Sequence, residues 1–252
     1  MTIKILSVLG LVIGLCACVS TEQKQLVQDK HVAAGYNLQL GIEYFRQGNL
    51  PLAKEKLDRS LVQNPNNAQT YAAAGLLYEQ LNEIDKADQY YGRAVELEPD
   101  NGDVINSYAV FLCRRGDRVK GEKLAVRAAN NALYKSPEVA WLNAGFCAQN
   151  SANAAAAEQY FGKSLQVNPK FAPAVLALAT LKLQANDALQ ARGLLERFHS
   201  GNRATAESLW LGVEIEKKIG NYPAVTEYAR RLKSEFPSAT QTNELLKLEN
   251  KK

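Results

Sequence analysis

Two stretches decide how this chain reads: residues 38–49, LQLGIEYFRQGN, and residues 72–83, AAAGLLYEQLNE. Gly41 in the first and Gly75 in the second lie 34 residues apart, and a tyrosine, Tyr44 or Tyr78, follows each by three. Outward from these, Ala53 and Ala87 recur at the same interval, as do Pro65 in VQNPNN and Pro99 in ELEPDN. Gly145, Ala157 and Pro169 supply the glycine, alanine and proline landmarks further on, and Phe161 follows its glycine by 16 residues as Leu57 and Tyr91 follow theirs. Four landmarks returning together in three segments mark an internal repeat, which must be recognised before any other reading of the fold. Each landmark has a physical reason. Small residues let two helices approach closely, and Tyr44, Tyr78, Leu57, Tyr91 and Phe161 fill the space beside them. Gly48 and Asn49 tolerate the left-handed backbone that ends a helix, and the prolines cannot continue the second helix of each segment.

The pattern resembles the tetratricopeptide repeat, a helix–turn–helix unit of about 34 residues. Weaker copies fill the gaps. Residues 102–136 hold Tyr108-Ala109, Arg115-Gly116-Asp117, Ala125 and Ala128, and are stretched, since the small residue returns at 145 rather than 143. Residues 172–204 carry Leu178-Ala179, Ala191 and Leu195; residues 205–238 carry Trp210, Gly212, Ala224, Tyr228 and Pro237. The expected fold is all-α, a right-handed superhelical solenoid of about six tetratricopeptide repeats over 34–238. A charged segment, 239–252, ending LLKLENKK, would cap it, as terminal repeats require. An all-helical bundle without repeats would make the 34-residue coincidences accidental. Composition agrees with a folded helical chain: 46% of the residues are hydrophobic and 22% charged.

The first residues read differently. Lys4 precedes an apolar run from Ile5 to Leu15, too short for the ~20 residues of a membrane-spanning helix and consistent with a secretory leader. Leu15-Cys16-Ala17-Cys18 resembles the bacterial lipobox, with small Ala17 before the cysteine that is acylated. Residues 1–17 are therefore expected to leave as a signal peptide, taking Cys16 with them. Cys18 would become the lipidated N-terminus and residues 18–33 a tether. The alternative is an ordinary secretory leader, for which no A-x-A site follows. By resemblance to bacterial lipoproteins, Val19 after the cysteine favours the outer membrane. Several acyl chains anchor stably where one binds marginally. Loss of Lys4 takes the formal charge of +4 to +3, and no Lys/Arg block interleaved with aromatics points to nucleic acid.

Catalytic machinery is not expected. The two histidines, His31 and His199, lie far apart, and four cysteines, two of them in the leader, assemble no zinc spacing. No P-loop, G-x-S-x-G or G-x-G-x-x-G occurs. His199 in RFHSGN reads as a surface residue at a helix end. No metal, cofactor or small-molecule substrate is implied.

Cys113 and Cys147 lie 34 residues apart, late in the first helices of consecutive repeats. In an oxidising periplasm a disulfide between them is expected. Against it, their Cα atoms must come within about 7 Å, and they are two residues out of register. The alternative is a pair of buried free thiols. The surface expected to bind is the face of the first helices, where solenoids take up peptides. Projection places Leu38, Ile42 and Phe45 there from repeat one, and Gln69, Ala72 and Leu76 from repeat two. Asn106 and Val110 follow from repeat three, and Leu142, Asn143 and Phe146 from repeat four. This lining is apolar with a few amides and lacks the clustered Lys/Arg of a carboxylate-binding groove.

A lipobox followed by about six such repeats resembles the PilF/PilW-type pilotins of type IV pilus biogenesis. The stretches QLGIEYFRQGN, VINSYAVFLCRRGD and NALYKSPEVAWLNAGF strengthen the likeness. The resemblance implies a lipoprotein on the periplasmic face of a Gram-negative outer membrane. It implies that the chain binds the secretin subunit of the pilus machinery and assists its localisation or multimer assembly. A general outer-membrane tetratricopeptide adaptor for cell-wall enzymes is the other reading.

Overall fold

The computed structural model describes residues 28–250, and among these every regular element is a helix. Thirteen helices follow in order: α1 (28–46), α2 (Leu50–Gln63), α3 (Ala68–Gln80), α4 (Ile84–Leu97), α5 (Gly102–Arg115), α6 (Arg118–Ala129) and α7 (Pro137–Asn150). Then come α8 (Ala154–Val167), α9 (Ala172–Gln184), α10 (Ala188–Gly201), α11 (Ala206–Ile219), α12 (Tyr222–Glu235) and α13 (Thr240–Glu249). The first twelve form six consecutive helix–turn–helix pairs of a tetratricopeptide solenoid, and α13 follows them.

The turn inside every pair uses one residue in the left-handed region: Gly48, Asn82, Gly116, Ala152, Asn186 and Gly220, at φ values of 75, 60, 101, 58, 62 and 86°. These six positions follow one another at 34 residues, save for 36 between Gly116 and Ala152, where the stretched third repeat lies. Residues just past the turn close the next helix end. Asn49, Asp117, Asn153 and Asp187 each accept a hydrogen bond from a backbone N–H three residues on, satisfying one of the helix's unpaired donors. Thr205 and Ser208 cap α11 reciprocally. Pro65, Pro99, Pro169 and Pro237 each stand two residues beyond the end of a second helix, where a helix cannot continue.

The chain divides into two compact units, one reaching to Tyr108 and one starting at Ala109. In the first, Leu38, Ala53, Leu57, Ala74 and Leu77 form one core cluster, and Ala68, Ala94 and Val104 another. The Ser60 hydroxyl, fully buried, bonds to Ala34 O and to Thr70 Oγ1, both at 2.9 Å. Burial of a hydroxyl is tolerated because its hydrogen bonds are made. In the second unit, cores build around Phe161, Val175 and Leu181, then around Leu195, Leu211 and Ile215, then around Leu209, Val213 and Leu232. Glu216, buried, is held by both Arg192 of α10 and Asn221 of the α11–α12 turn, with Arg192 Nε at 2.7 Å and Asn221 Nδ2 at 2.8 Å. A buried carboxylate needs such partners, since desolvation alone would cost several kcal/mol, of the order known for buried ions.

In four of the six pairs a glycine of the first helix meets the large residue of the second, and in the fifth Ala179 takes its place in the core with Leu195. A Cβ on Gly41 would lie 2.8 Å from Leu57, on Gly75 2.9 Å from Tyr91, and on Gly212 2.7 Å from Tyr228. The third pair is built the other way round. Ala109 stands at the glycine position, Ala125 at the large position, and the glycine has moved to Gly121 in α6.

Candidate partner-binding faces

Gly121 shows why the third repeat departs from its neighbours. Cys113 in α5 and Cys147 in α7 are joined by a disulfide with a Cα–Cα distance of 5.4 Å. A Cβ on Gly121 would run into the Cys113 sulfur and lie 2.8 Å from Ala109 O. The bridge thus occupies the space that an alanine fills in the other second helices. Both cysteines are buried.

Cys18, the expected lipidation site, lies outside the described residues, as do the leader and most of the tether. The projected groove lining separates into three kinds of residue. Leu38 and Leu142, each only 7% exposed, are core residues and offer no binding surface. Leu38 packs with Leu57 of α2 and Leu77 of α3, and Leu142 with Phe161 of α8 and Val175 of α9. The reason is that a first helix must bury a second stripe against the next repeat, and position 38 or 142 points into that three-helix junction. Ile42, Phe45 and Ala72 are half-buried and lean on core clusters. Asn106, Val110 and Asn143 are also half-buried. Gln69, Leu76 and Phe146 do reach solvent, Leu76 at 39% and Phe146 at 41% exposure. Phe146 stands edge-on to Phe161 with ring centres 5.4 Å apart, an orientation favoured by the aromatic quadrupole.

Other exposed apolar residues escaped the projection. On α1, Val32, Tyr36 and Leu40 follow at steps of four and are exposed, Tyr36 at 65%. They form a stripe that none of the described helices covers, and that four-residue spacing was the available signal. In the second unit, α11, α12 and α13 enclose an open cleft of about 1020 Å³ with Trp210 and Val213 in its lining.

His199 is a correction. It is half-buried rather than a surface residue, its ring 5.3 Å from Phe198 and 6.2 Å from Tyr228, and its Nε2 is buried with no hydrogen bond. Burial, reinforced by the Arg231 charge, lowers its pKa below the ordinary histidine value. Sequence position misled because the neighbour that covers it, Tyr228, belongs to the following repeat.

Ionisable groups elsewhere serve the scaffold. Tyr160 is pushed up to about 12 by burial and by its hydrogen bond to Glu122, 2.8 Å away. Lys163 sits 4.4 Å above the Trp141 ring, a cation–π contact. Pairs such as Lys54–Asp58, Arg231–Glu235 and Arg230–Glu227 run along exposed helix faces. Among the described residues, no group of three or more His, Cys, Asp or Glu side chains could hold a metal ion. No described helix is long and apolar enough to cross a membrane.

Comparison with known proteins agrees with this architecture. A tetratricopeptide repeat family model matches residues 68–101, which are α3, α4 and the linker after them. The type IV pilus assembly protein PilF of Pseudomonas aeruginosa is 28% identical over 247 residues, covering 97% of this chain and 98% of that one. Among solved structures, PilW, described as a widely conserved type IV pilus biogenesis factor, superimposes with a TM-score of 0.76 at 28% identity. That match covers 84% of this chain and 98% of PilW. The structure of Pseudomonas aeruginosa PilF gives a TM-score of 0.73 at 26% identity, over 86% and 98% of the two chains. With a shared fold and a match running nearly end to end, the chain is a tetratricopeptide repeat protein homologous to the PilF and PilW proteins of type IV pilus biogenesis.

Proposed function

We propose that this chain is an outer-membrane lipoprotein that binds the secretin subunit of the type IV pilus and assists its localisation or multimer assembly. The observation that carries the reading is the extent of the likeness to PilF, 97% of this chain against 98% of that protein. A match confined to one repeat would mean only a shared module, whereas this one, over 97% of the chain, takes in all six helix pairs. The lipobox at Leu15–Cys18 supplies an anchor, and exposed apolar residues such as Leu76 and Phe146 supply contact surface. Function then needs binding rather than turnover, in keeping with homologues that are interaction scaffolds.

The test is made in cells deleted for the gene, by fractionation and gel analysis of heat-resistant secretin multimers. Loss of multimers, or their accumulation in the inner membrane, is expected. Normal multimers in the outer membrane would reject the assembly role.

A further inference from the structure

The cleft framed by α11, α12 and α13 lies at the end of the chain opposite the lipobox and takes no part in the reading above. Its volume, about 1020 Å³, is at the upper limit of small-molecule pockets (roughly 300–1,000 Å³), which suits several side chains better than one compact ligand. Trp210, Tyr222, Val225 and Leu248 give it an exposed or half-buried apolar lining, over a floor of the core residues Val213 and Leu245. Cations dominate the charged lining: Lys217, Lys218, Arg230 and Lys233 stand against only Glu214 and Glu249.

These charges are not equally available. Arg230 is committed to Glu227 through two hydrogen bonds of 2.9 and 2.7 Å, and Lys233 contacts Glu249 at 3.1 Å. Among the described residues Lys217 and Lys218 enter no ion pair, though Lys217 lies near enough to Glu214 to act on its charge. They occupy the last turn of α11, where the helix dipole also favours cations, so their placement alone has a structural explanation. What that explanation leaves over is that both border an apolar cleft. Partial burial, with the Glu244 charge beside it, raises the Glu214 pKa above the ordinary carboxylate value against the opposing charge of Lys217.

We infer that this cleft is a second binding site, whose occupant is an amphipathic peptide segment of a partner protein carrying acidic residues beside its apolar face. The apolar side chains enter against Trp210, Tyr222, Val225 and Leu248, and the carboxylates meet Lys217 and Lys218. The charge match supplies selectivity and apolar burial most of the affinity.

Trp210 provides the readout, because the other tryptophan, Trp141, is buried beneath Lys163. The purified protein is titrated with a 14-residue synthetic peptide having leucines at i, i+3, i+4 and i+7 flanked by four glutamates. A companion peptide carries lysines in place of the glutamates. The acidic peptide is expected to shift Trp210 emission saturably, and the basic one to bind at least tenfold more weakly. In a Lys217→Glu/Lys218→Glu variant, whose exposed positions leave the core untouched, affinity for the acidic peptide falls at least tenfold while the circular dichroism is unchanged. Trp210→Phe removes the signal. No saturable shift, equal binding of the two peptides, or full affinity in the double variant would each overturn the inference. None of these outcomes bears on secretin assembly, so this site and the proposed function fail independently.

Discussion

Ala152 is the one alanine among the six turn residues held in the left-handed region, at φ 58°. A Cβ costs roughly 1–2 kcal/mol there, whereas glycine adopts it freely and gives back about 0.5–1 kcal/mol in unfolded-state entropy. Ala152→Gly is therefore expected to stabilise the protein by about 0.5–1 kcal/mol, seen as a higher denaturant midpoint with an unchanged slope. The same substitution logic does not extend to Asn82 or Asn186, since asparagine tolerates this region. His199 makes a prediction in pH. Its folded pKa lies below its unfolded value of 6.5, so below that value the unfolded chain takes up the proton first. Its contribution is whole above the unfolded pKa and is lost as pH falls through 6.5 toward the folded value. Thermal melts between pH 7.5 and 5 should show the native protein losing more stability on acidification than His199→Phe. Parallel pH dependence in the two proteins would mean that the ring is solvated in both charge states.

At the scale of helices, the disulfide and Gly121 act as one feature. Closing a 34-residue separation in the unfolded chain is worth about 3–4 kcal/mol in the loop-entropy description, so Cys113→Ser/Cys147→Ser should unfold earlier by that order. Gly121→Ala in the oxidised protein should cost about 1–3 kcal/mol, since its methyl has no room beside the bridged sulfur. In a Cys113→Ala/Cys147→Ala background that cost should shrink, because part of the clash is gone. Equal costs in both backgrounds would separate the two features. This pair also shows what the sequence could convey about the elements. Gly41, Gly75, Gly145 and the prolines at 65, 99 and 169 made the 34-residue period visible because each sits where only a small or helix-ending residue fits. The third repeat was legible as a stretch but not as an exchange. Its glycine and alanine traded places, and the sulfur that forced the trade is contributed from another helix. Leu38 and Leu142 were misplaced for a related reason. A helix projected alone shows which residues are apolar, but the repeat that follows decides which apolar stripe it covers.

Over the whole molecule, the fold was legible from local spacing while the binding surfaces were not, because exposure depends on what each helix packs against. The stripe of Val32, Tyr36 and Leu40 is apolar like any core stripe and stands out only because none of the described helices covers it. The cleft beside Trp210 exists only once α13 has folded back on α11 and α12. Anchor and scaffold should therefore be separable experimentally. Cys18 lies ahead of α1, and no described helix depends on it. Cys18→Ser is expected to leave circular dichroism and melting temperature unchanged, to abolish labelling by a palmitate analogue, and to move the protein from the outer-membrane to the periplasmic fraction. If the anchor serves to bring a bound secretin to that membrane, multimers in this variant should fall as in the deletion, although the folded scaffold is present. Labelling that persists would reject the lipobox assignment at Cys18. Loss of labelling with normal multimers would instead place the activity in the solenoid alone, with the lipid needed only for retention.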